Sequence, residues 1–457
     1  MIRQNVKNRK SCKWIYTLAA VSFVLFLVSV MFFILQLQNA SDPASNAVIL
    51  KAAAKQLNKD PNELTKKDFA RITELCIAEK TGQGIGLNTE GYNIAELSDI
   101  AILKKFVNLE ELDISYLKFP KKTKSKPKWK SYLEKIGINI STEKTQRTDL
   151  DLSTLRNLSK LRRLKVQNSP VIDINSLAGL TNLELLDLSR TKITGIKPLA
   201  GLTKLKSLNL NFTKITDIEP LADLTNLESL ELGCTQVSDF KLLAGFKNLV
   251  TLDLGETKIS DSNLLAGLTN LEFLTLTHTQ ISDFEWLAGL TKLKLLYLRW
   301  TIISDLEPLK GLTNLRELFV DYTPISDFEP ISGLANLKTL WISNTQISDI
   351  RLLAAFKELE SLGLVDLKIS DLEPISGLAN LQSLVINGTQ VSDLEPLSEL
   401  KNLQSLYIIS TPAANLEPLK GLKNLRSLYI RLSDNNTYEQ VAELQKALPN
   451  LKITKVP

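Results

Sequence analysis

One spacing constrains this chain more than any other feature. Two leucines three positions apart, followed by another apolar residue two positions later, recur every 22 residues. The first regular copy occupies residues 161–166 and the thirteenth occupies 425–430, with no insertion or deletion between them. Two degenerate copies precede them, at 72–77 and 109–114. A fixed period of this length predicts a stack of equivalent coils, each packed only on its neighbours.

Each part of the repeat predicts a local structure. The alternation in L-x-L is typical of a strand buried on one face. A later Ser-Asp precedes a short segment that often contains Pro, which suits the first turn of a helix. Gly201, Gly245, Gly267 and Gly289 are expected to end that segment with a positive φ. One strand and one short convex turn per 22 residues predict an α/β solenoid, a curved horseshoe whose parallel sheet lines the concave side.

The Asp of each repeat has two interpretations. Stacked carboxylates are an arrangement that holds calcium. One Asp per coil is also what capping of a helical start requires, because its carboxylate accepts bonds from free N–H groups. We predict capping and no metal. The column comprises Asp217, Asp239, Asp261, Asp283, Asp305, Asp327, Asp349, Asp371 and Asp393.

The segments ISDLEPLKGLTNL, ISDFEPISGLANL and VSDLEPLSELKNL resemble the 22-residue leucine-rich repeats of the bacterial internalin family. The resemblance covers about residues 60 to 457 and implies a leucine-rich-repeat horseshoe that binds a protein through its concave face. It also implies a helical N-terminal cap, which we place at 38–71. The family usually has Asn where this chain has a column of Thr, from Thr191 to Thr345. We expect this Thr ladder to bond backbone groups of adjacent turns.

An apolar run without charged residues occupies 14–37. About 20 such residues cross a hydrocarbon core of about 30 Å. The five cations of the tail at 1–13 precede the run, which favours a cytoplasmic N-terminus. We therefore expect a transmembrane signal anchor, with the repeats outside the cell or in the periplasm. A cleaved signal peptide is the alternative, but its apolar region would span only about 7–15 residues and end at a small-x-small site.

The repeat array is predicted at 72–436, and a basic insertion at 116–148 interrupts it. The insertion is expected either to contact anionic lipid or cell-wall polymer or to be a solvated loop. Its candidate contact residues are Lys121, Lys122, Lys124, Lys126, Lys128 and Lys130. A C-terminal cap is predicted at 437–457. There Thr437 and Gln440 have the spacing of a capping box, and a last strand follows at 448–453.

The sequence lacks the residue sets that catalysis needs. His278 is the only histidine, so schemes that use a histidine base lose their usual member. The three cysteines are scattered and form no metal-binding or redox motif. We predict no enzyme activity, no catalytic residue, no cofactor and no bound metal. The chain has a net charge of +5, and its excess positive charge lies in the first 41 residues and in 118–147. The remainder of the chain is acidic, which argues against nucleic acid as a partner.

The concave face is the predicted binding surface. Residues flanking the buried leucines point to this side, and equivalent positions in successive strands are neighbours. We predict a patch that consists of Phe273, Tyr297, Trp300, Phe319, Tyr322 and Trp341, beside an acidic region at Glu231, Asp253 and Glu256. Aromatic residues also suit strands for packing alone. Binding interfaces, however, favour Trp and Tyr as anchors.

Three functions are open at this point. The first is a membrane-anchored, non-enzymatic module that recognises a protein partner. The second is an envelope scaffold or sensor that binds a glycan or cell-wall polymer, since sugars stack on aromatic faces. The third is the regulatory subunit of an enzyme, against which the anchor argues. The oligomeric state is not predicted.

Overall fold

The computed structural model describes residues 56–59, 66–76, 103, 106–115, 149–413, 415–431 and 438–456. The predicted tail, the predicted anchor at 14–37 and the predicted insertion at 116–148 lie outside these residues. Over the described part of the chain, no helix has the length and apolar character needed to cross a bilayer.

One parallel sheet contains sixteen strands of the described chain, and they lie side by side in chain order. Leu164 pairs with Leu186, and this offset of 22 residues continues strand by strand to Leu428. Leu112 pairs directly with Leu164, so the residues between them leave the sheet continuous. The parallel solenoid predicted from the repeat is confirmed.

The strands are short, and most have three residues. They are β1 (Glu74–Cys76), β2 (Glu111–Asp113), β3 (Arg163–Lys165), β4 (Leu185–Asp187), β5 (Ser207–Asn209), β6 (Ser229–Glu231), β7 (Thr251–Asp253), β8 (Phe273–Thr275), β9 (Leu295–Tyr297), β10 (Glu317–Phe319), β11 (Thr339–Trp341), β12 (Ser361–Gly363), β13 (Ser383–Val385), β14 (Ser405–Ile408), β15 (Ser427–Arg431) and β16 (Lys452–Val456). The last of these is the strand predicted to close the array.

The core is a spine of leucines that runs through every coil. The second residue of each strand from β3 to β15 is a leucine, and each is fully buried, as Leu274 and Leu296 are. Burying one such side chain contributes about 1.5–3 kcal/mol. Because each leucine packs against the coils before and after it, one coil stabilises the next. The sheet face that points away from this core is called the concave face below.

The convex side consists of short 3-10 helices, and the Asp column begins them. Asp217 Oδ1 accepts a hydrogen bond of 2.8 Å from the N–H of Glu219, and the other members of the predicted column make the same bond. The carboxylates therefore bond backbone N–H groups at the helix starts, as predicted; Asp261 is the N-cap residue itself, whereas members such as Asp217 lie one residue before the N-cap. The helices are Ser153–Asn157, Asn175–Leu177, Lys197–Leu199, Glu219–Leu221, Lys241–Gly245, Ser262–Leu264, Glu285–Gly289, Glu307–Leu309, Glu329–Ile331, Arg351–Ala355, Glu373–Ile375, Glu395–Glu399 and Glu417–Gly421.

The prediction of positive φ at Gly201, Gly245, Gly267 and Gly289 is wrong. Among the described glycines, only Gly388 has a positive φ. The short helices end without a left-handed residue: the residue after each helix has either right-handed helical backbone, as Ala200 does, or a φ near −86°, as Phe246 does. Left-handed backbone lies instead at the residue before each position of the Thr column, which is Leu367 in one repeat. On the edge of the concave face it is found in Arg190, Phe212, Cys234, Glu256, His278, Trp300, Tyr322, Asn344, Asp366 and Ser410.

Two polar columns satisfy the backbone of the coils. Thr257 Oγ1 donates to the carbonyl of Leu254 at 2.6 Å, within its own coil. The expected bond to adjacent turns is therefore wrong for the Thr column, whose hydroxyl lies above its own strand. The bond between coils comes from an Asn that the sequence analysis did not assign. Asn314 Nδ2 donates to the carbonyl of Thr291 in the coil before it, and the Asn side chains of other coils do the same.

Helices lie near both ends of the described array. Helix α1 (Lys66–Arg71) precedes β1 and falls within the predicted N-terminal cap. Helix α2 (Tyr438–Ala447) lies within the predicted C-terminal cap, covers the last coil and buries Val441 and Leu444. Gln440 Oε1 accepts a bond from the N–H of Leu416, which ties α2 to the preceding repeat. Thr437, the predicted partner of Gln440 in a capping box, lies outside the described residues.

Two glycines provide a matched test of this backbone. We expect Gly289→Ala to leave the free energy of unfolding unchanged or raise it by about 0.4–1 kcal/mol, because nothing lies within 4 Å of the added Cβ. Gly388→Ala should lower it by more than about 1 kcal/mol, because the Cβ meets the Asp366 side chain where φ is +70°. Urea unfolding of both variants measures the difference. Equal effects would contradict the backbone assignment.

Candidate functional site

Two aromatic groups lie on the concave face, in the region that the sequence indicates. In the first group, the Tyr297 ring stacks on Phe319 with centroids 4.4 Å apart and an interplanar angle of 6°. Phe273 lies 5.5 Å from Tyr297, and Trp341 lies 6.3 Å from Phe319. These four rings form one row across β8 to β11: Tyr297, Phe319 and Trp341 are register partners in successive strands, whereas Phe273 pairs with Leu295 and reaches Tyr297 diagonally. We call them the aromatic row.

The second group is a stacked pair at the edge of the face. The rings of Trp300 and Tyr322 are 3.8 Å apart and nearly parallel, at 7°. Both residues have left-handed backbone, with φ of 58°, which is uncommon for bulky side chains. Trp300 is 48% exposed. The pair is therefore presented to solvent at the edge, whereas the aromatic row lies flat over the strands.

An ion pair separates the two groups. Arg299 Nε lies 2.7 Å from Asp321 Oδ2, and both side chains are largely buried. The guanidinium also lies over the Phe319 ring, 4.4 Å from its centroid, a cation–π contact. Asp321 Oδ1 accepts a bond from the N–H of Ser343. This network packs against the Phe319 and Trp341 rings of the aromatic row, and the sequence analysis did not identify it.

Phe319 is not an accessible contact residue. Its side chain is fully buried, because Tyr297 stacks on it along the row and Arg299 covers it. Its predicted role in contacting a partner is therefore corrected. Phe319 supports the neighbouring rings, and the accessible aromatic surface comes from residues around it.

A glycine makes room for the last ring of the row. A Cβ at Gly363 would lie 2.5 Å from Trp341 Cδ2, so the indole packs against the backbone of β12. Gly363 is the register partner of Trp341 in the next strand. A small residue beside a large one in the same column is a signal that could have shown this packing in the sequence.

The acidic region contains a bridging amide. Asn211 Nδ2 donates to Glu231 Oε2 at 3.0 Å and to Asp253 Oδ2 at 2.8 Å. Its Oδ1 accepts from the N–H of Gly233 at 2.5 Å. A Cβ at Gly233 would lie 2.9 Å from both carboxylate oxygens of Asp253. The amide and the glycine allow the two carboxyls to lie close together, and neither Asn211 nor Gly233 was predicted as a site residue.

Burial and mutual repulsion shift the titration of these acids. Burial, together with the charges of Asp253 and Asp187, raises the pKa of Glu231 to about 7. Burial also raises the pKa of Asp253 and that of Asp187. The pKa of the neighbouring Cys234 thiol is raised by burial and by Glu256. The thiol is therefore in its neutral form near neutral pH and is a poor nucleophile.

The other residues singled out in the sequence lie at the edge of the concave face or outside the described residues. Glu256 lies at the edge of the face, two repeats before Trp300, and His278 lies exposed between them. The lysines from Lys121 to Lys130 lie outside the described residues, so their predicted contact with membrane or polyanion stays a prediction. Within the described ranges, no group of three or more His, Cys, Asp or Glu residues is arranged to hold a metal ion.

Comparisons with known proteins agree with this geometry. The leucine-rich-repeat family profile matches residues 181–223, 204–245, 247–289 and 335–377. The crystal structure of an internalin (InlF) from Listeria monocytogenes is similar, with 26% identity and a TM-score of 0.56. The match covers 86% of this chain and 98% of that one. The chain is a leucine-rich-repeat protein, a class of generally non-enzymatic binding scaffolds, and internalins are among its structural neighbours.

Two more distant structures share the fold. A leucine-rich-repeat protein from Leptospira interrogans has 20% identity and a TM-score of 0.59, over 91% of this chain and all of that one. A plant peptide hormone receptor (RGFR1), solved in complex with RGF2, has 18% identity and a TM-score of 0.50. That match covers 67% of this chain and 54% of the receptor. No curated protein matches the sequence.

The packing of Trp341 on Gly363 gives one prediction. Gly363→Ala should lower the free energy of unfolding by about 1–3 kcal/mol, because the new methyl group forces the indole out of its place. Gly311→Ala is the control, since nothing lies within 4 Å of its Cβ. In a Trp341→Ala background, Gly363→Ala should have little effect. Urea unfolding of the four variants measures the coupling, and additive effects would exclude it.

The acidic region gives a pH prediction. A carboxyl whose pKa rises from 4.5 to about 7 on folding binds more protons in the folded state, so stability falls as pH rises through this window. Glu231→Gln should therefore raise Tm more at pH 8 than at pH 5. Thermal unfolding at both pH values tests this. Glu219→Gln, on the convex side, controls for the loss of one negative charge, and an equal gain at both pH values for Glu231→Gln would argue against the assignment.

Proposed function

We propose that this protein is a membrane-anchored, non-enzymatic binding module that recognises a protein partner through its concave face. The observation that carries the proposal is the stacked Trp300–Tyr322 pair, exposed at the edge of the face and adjacent to the aromatic row. Aromatic side chains of this kind are the commonest anchors of protein interfaces, because they bury a large area with little loss of conformational entropy.

The fold does not require aromatic residues at this position. Equivalent places in other repeats hold Arg190, Glu256, Asn344 and Asp366 with the same left-handed backbone. A coil therefore forms with a charged or amide side chain there. Trp300 is exposed and Tyr322 is half-buried at a place where smaller polar residues suffice for folding, which favours a role in contact over a role in packing.

The neighbouring structures are compatible with this proposal. The plant receptor is described as binding a peptide hormone, and its fold resembles that of this chain. The internalin likeness favours a bacterial surface role. We further propose that the apolar run at 14–37 anchors the chain, with its N-terminus in the cytoplasm and the repeats on the outer side.

Replacement of the edge pair tests the function. We expect Trp300→Asn with Tyr322→Asn to weaken capture of the protein partner by at least about tenfold, since each anchor contributes about 2 kcal/mol or more. The Tm should stay close to that of the unchanged chain, because Asn occupies the same position in repeats that contain Asn168 and Asn344. Affinity capture with the full chain, followed by binding measurements on the captured protein, gives both values.

Asp366→Asn, at the same position in another repeat, is the matched control. Unchanged capture by the double variant would contradict the proposal. Loss of binding to isolated cell-wall polysaccharide, with no protein captured by either chain, would instead support the glycan alternative.

A further inference from the structure

The residues before the Thr column form an ordered line along one edge of the sheet. Glu256, His278, Trp300 and Tyr322 occupy this position in four successive repeats. Backbone hydrogen bonds join the repeats there, from the N–H of His278 to Arg299 and from the N–H of Trp300 to Asp321. The order and spacing of these side chains are therefore set by the backbone. We call this line the rim.

The column just after the Thr becomes apolar beside the aromatic pair. Most repeats place Lys or Gln there, as in Lys214, Lys258, Gln280 and Gln346. Beside Trp300 and Tyr322 the same positions are Ile302 and Pro324, and Ile302 is 60% exposed. The rim patch, defined as Trp300, Ile302, Tyr322 and Pro324, thus gathers apolar side chains at neighbouring positions of two adjacent repeats, and apolar surface on soluble domains marks sites of interaction.

Negative charge without an ion-pair partner lies two and three repeats away. Among the described residues, Glu231, Asp253 and Glu256 form no ion pair, and the carboxylates of Glu231 and Asp253 accept hydrogen bonds from the Asn211 amide. Arg190, the nearest rim cation, lies over the Phe212 ring at 4.0 Å from its centroid. A partner that fits both regions therefore carries an apolar group at one end and a cationic group at the other.

We propose that the rim binds an extended polypeptide segment that places a Lys or Arg side chain against Glu231 and Glu256 and an aromatic or branched apolar side chain on the rim patch. This inference rests on the proposed function and specifies its partner. Parallel strands are about 4.8 Å apart, so Glu256 is about 10 Å from Trp300 along the rim and about 14 Å from Tyr322. An extended chain advances about 3.3 Å per residue.

The spacing on the partner follows from these lengths. The basic residue lies three or four positions from the apolar residue, with the segment running across the strands. A polyanionic polymer would be repelled by the same carboxylates, and a neutral glycan has hydroxyl groups to hydrogen-bond to them but no cation to pair with them. A polypeptide supplies both groups at the required separation.

The test is selection of peptides on the full chain, held in neutral detergent, from a phage-displayed library of random linear dodecapeptides. We expect the enriched peptides to contain Lys or Arg three or four positions from Trp, Tyr, Phe, Leu or Ile. Their dissociation constants, measured with fluorescent synthetic copies, should rise about tenfold for Glu256→Gln and about tenfold for Ile302→Lys. The second change restores the residue type of Lys214 and Lys258, so the coil is expected to fold.

Lys368→Gln, in the same column but distant from the patch, is the matched control and should leave binding unchanged. Enriched peptides without a basic residue, or binding that resists both Glu256→Gln and Ile302→Lys, would overturn the inference. If that binding is still lost in Trp300→Asn with Tyr322→Asn, the proposed function stands. If it resists this double change as well, both fail. A selection without enriched peptides overturns only the linear segment, because a folded partner remains compatible with the concave face.

Discussion

Contact between leucines of successive coils is the interaction on which this structure depends. A three-residue strand is too short to be stable alone, and its single buried leucine acquires a full set of neighbours only from the coils on both sides. The 22-residue period is therefore kept without change from Leu164 to Leu428. Because the leucine spine stabilises the fold, side chains on the concave face can differ from repeat to repeat. This variation makes a binding surface possible.

Repeated polar side chains satisfy the backbone groups of the coils, and the corners of the coils position the surface that a partner would contact. The Asp column begins the convex helices, the Thr column closes each corner, and the Asn column joins one coil to the next. Each corner also contains a left-handed residue just before the Thr. This backbone turns the side chain outward at the edge of the sheet, so Glu256, Trp300 and Tyr322 stand on a rim whose geometry the fold maintains independently of their identity.

Small residues shape the concave face as much as large ones do. Gly363 lets the Trp341 indole lie on the backbone of the next strand, and Gly233 lets Asp253 approach Asn211. The buried Arg299–Asp321 pair packs against the Phe319 and Trp341 rings of the aromatic row. The face is thus differentiated along its length, from an acidic region at β6 and β7 to an aromatic region at β8 to β11.

The sequence by itself determined the strands and their parallel order, because a constant period places each position beside its equivalent in the next coil. For the same reason it determined the register that makes Tyr297, Phe319 and Trp341 neighbours, and the role of the Asp column. Only the tertiary structure decided which of these neighbours are accessible. Phe319 is buried beneath Arg299, the convex glycines lack positive φ, and the Thr hydroxyls bond within their own coil. These outcomes depend on how side chains of adjacent coils cover one another and on the direction in which the chain leaves each turn, and a pattern read along one repeat contains neither.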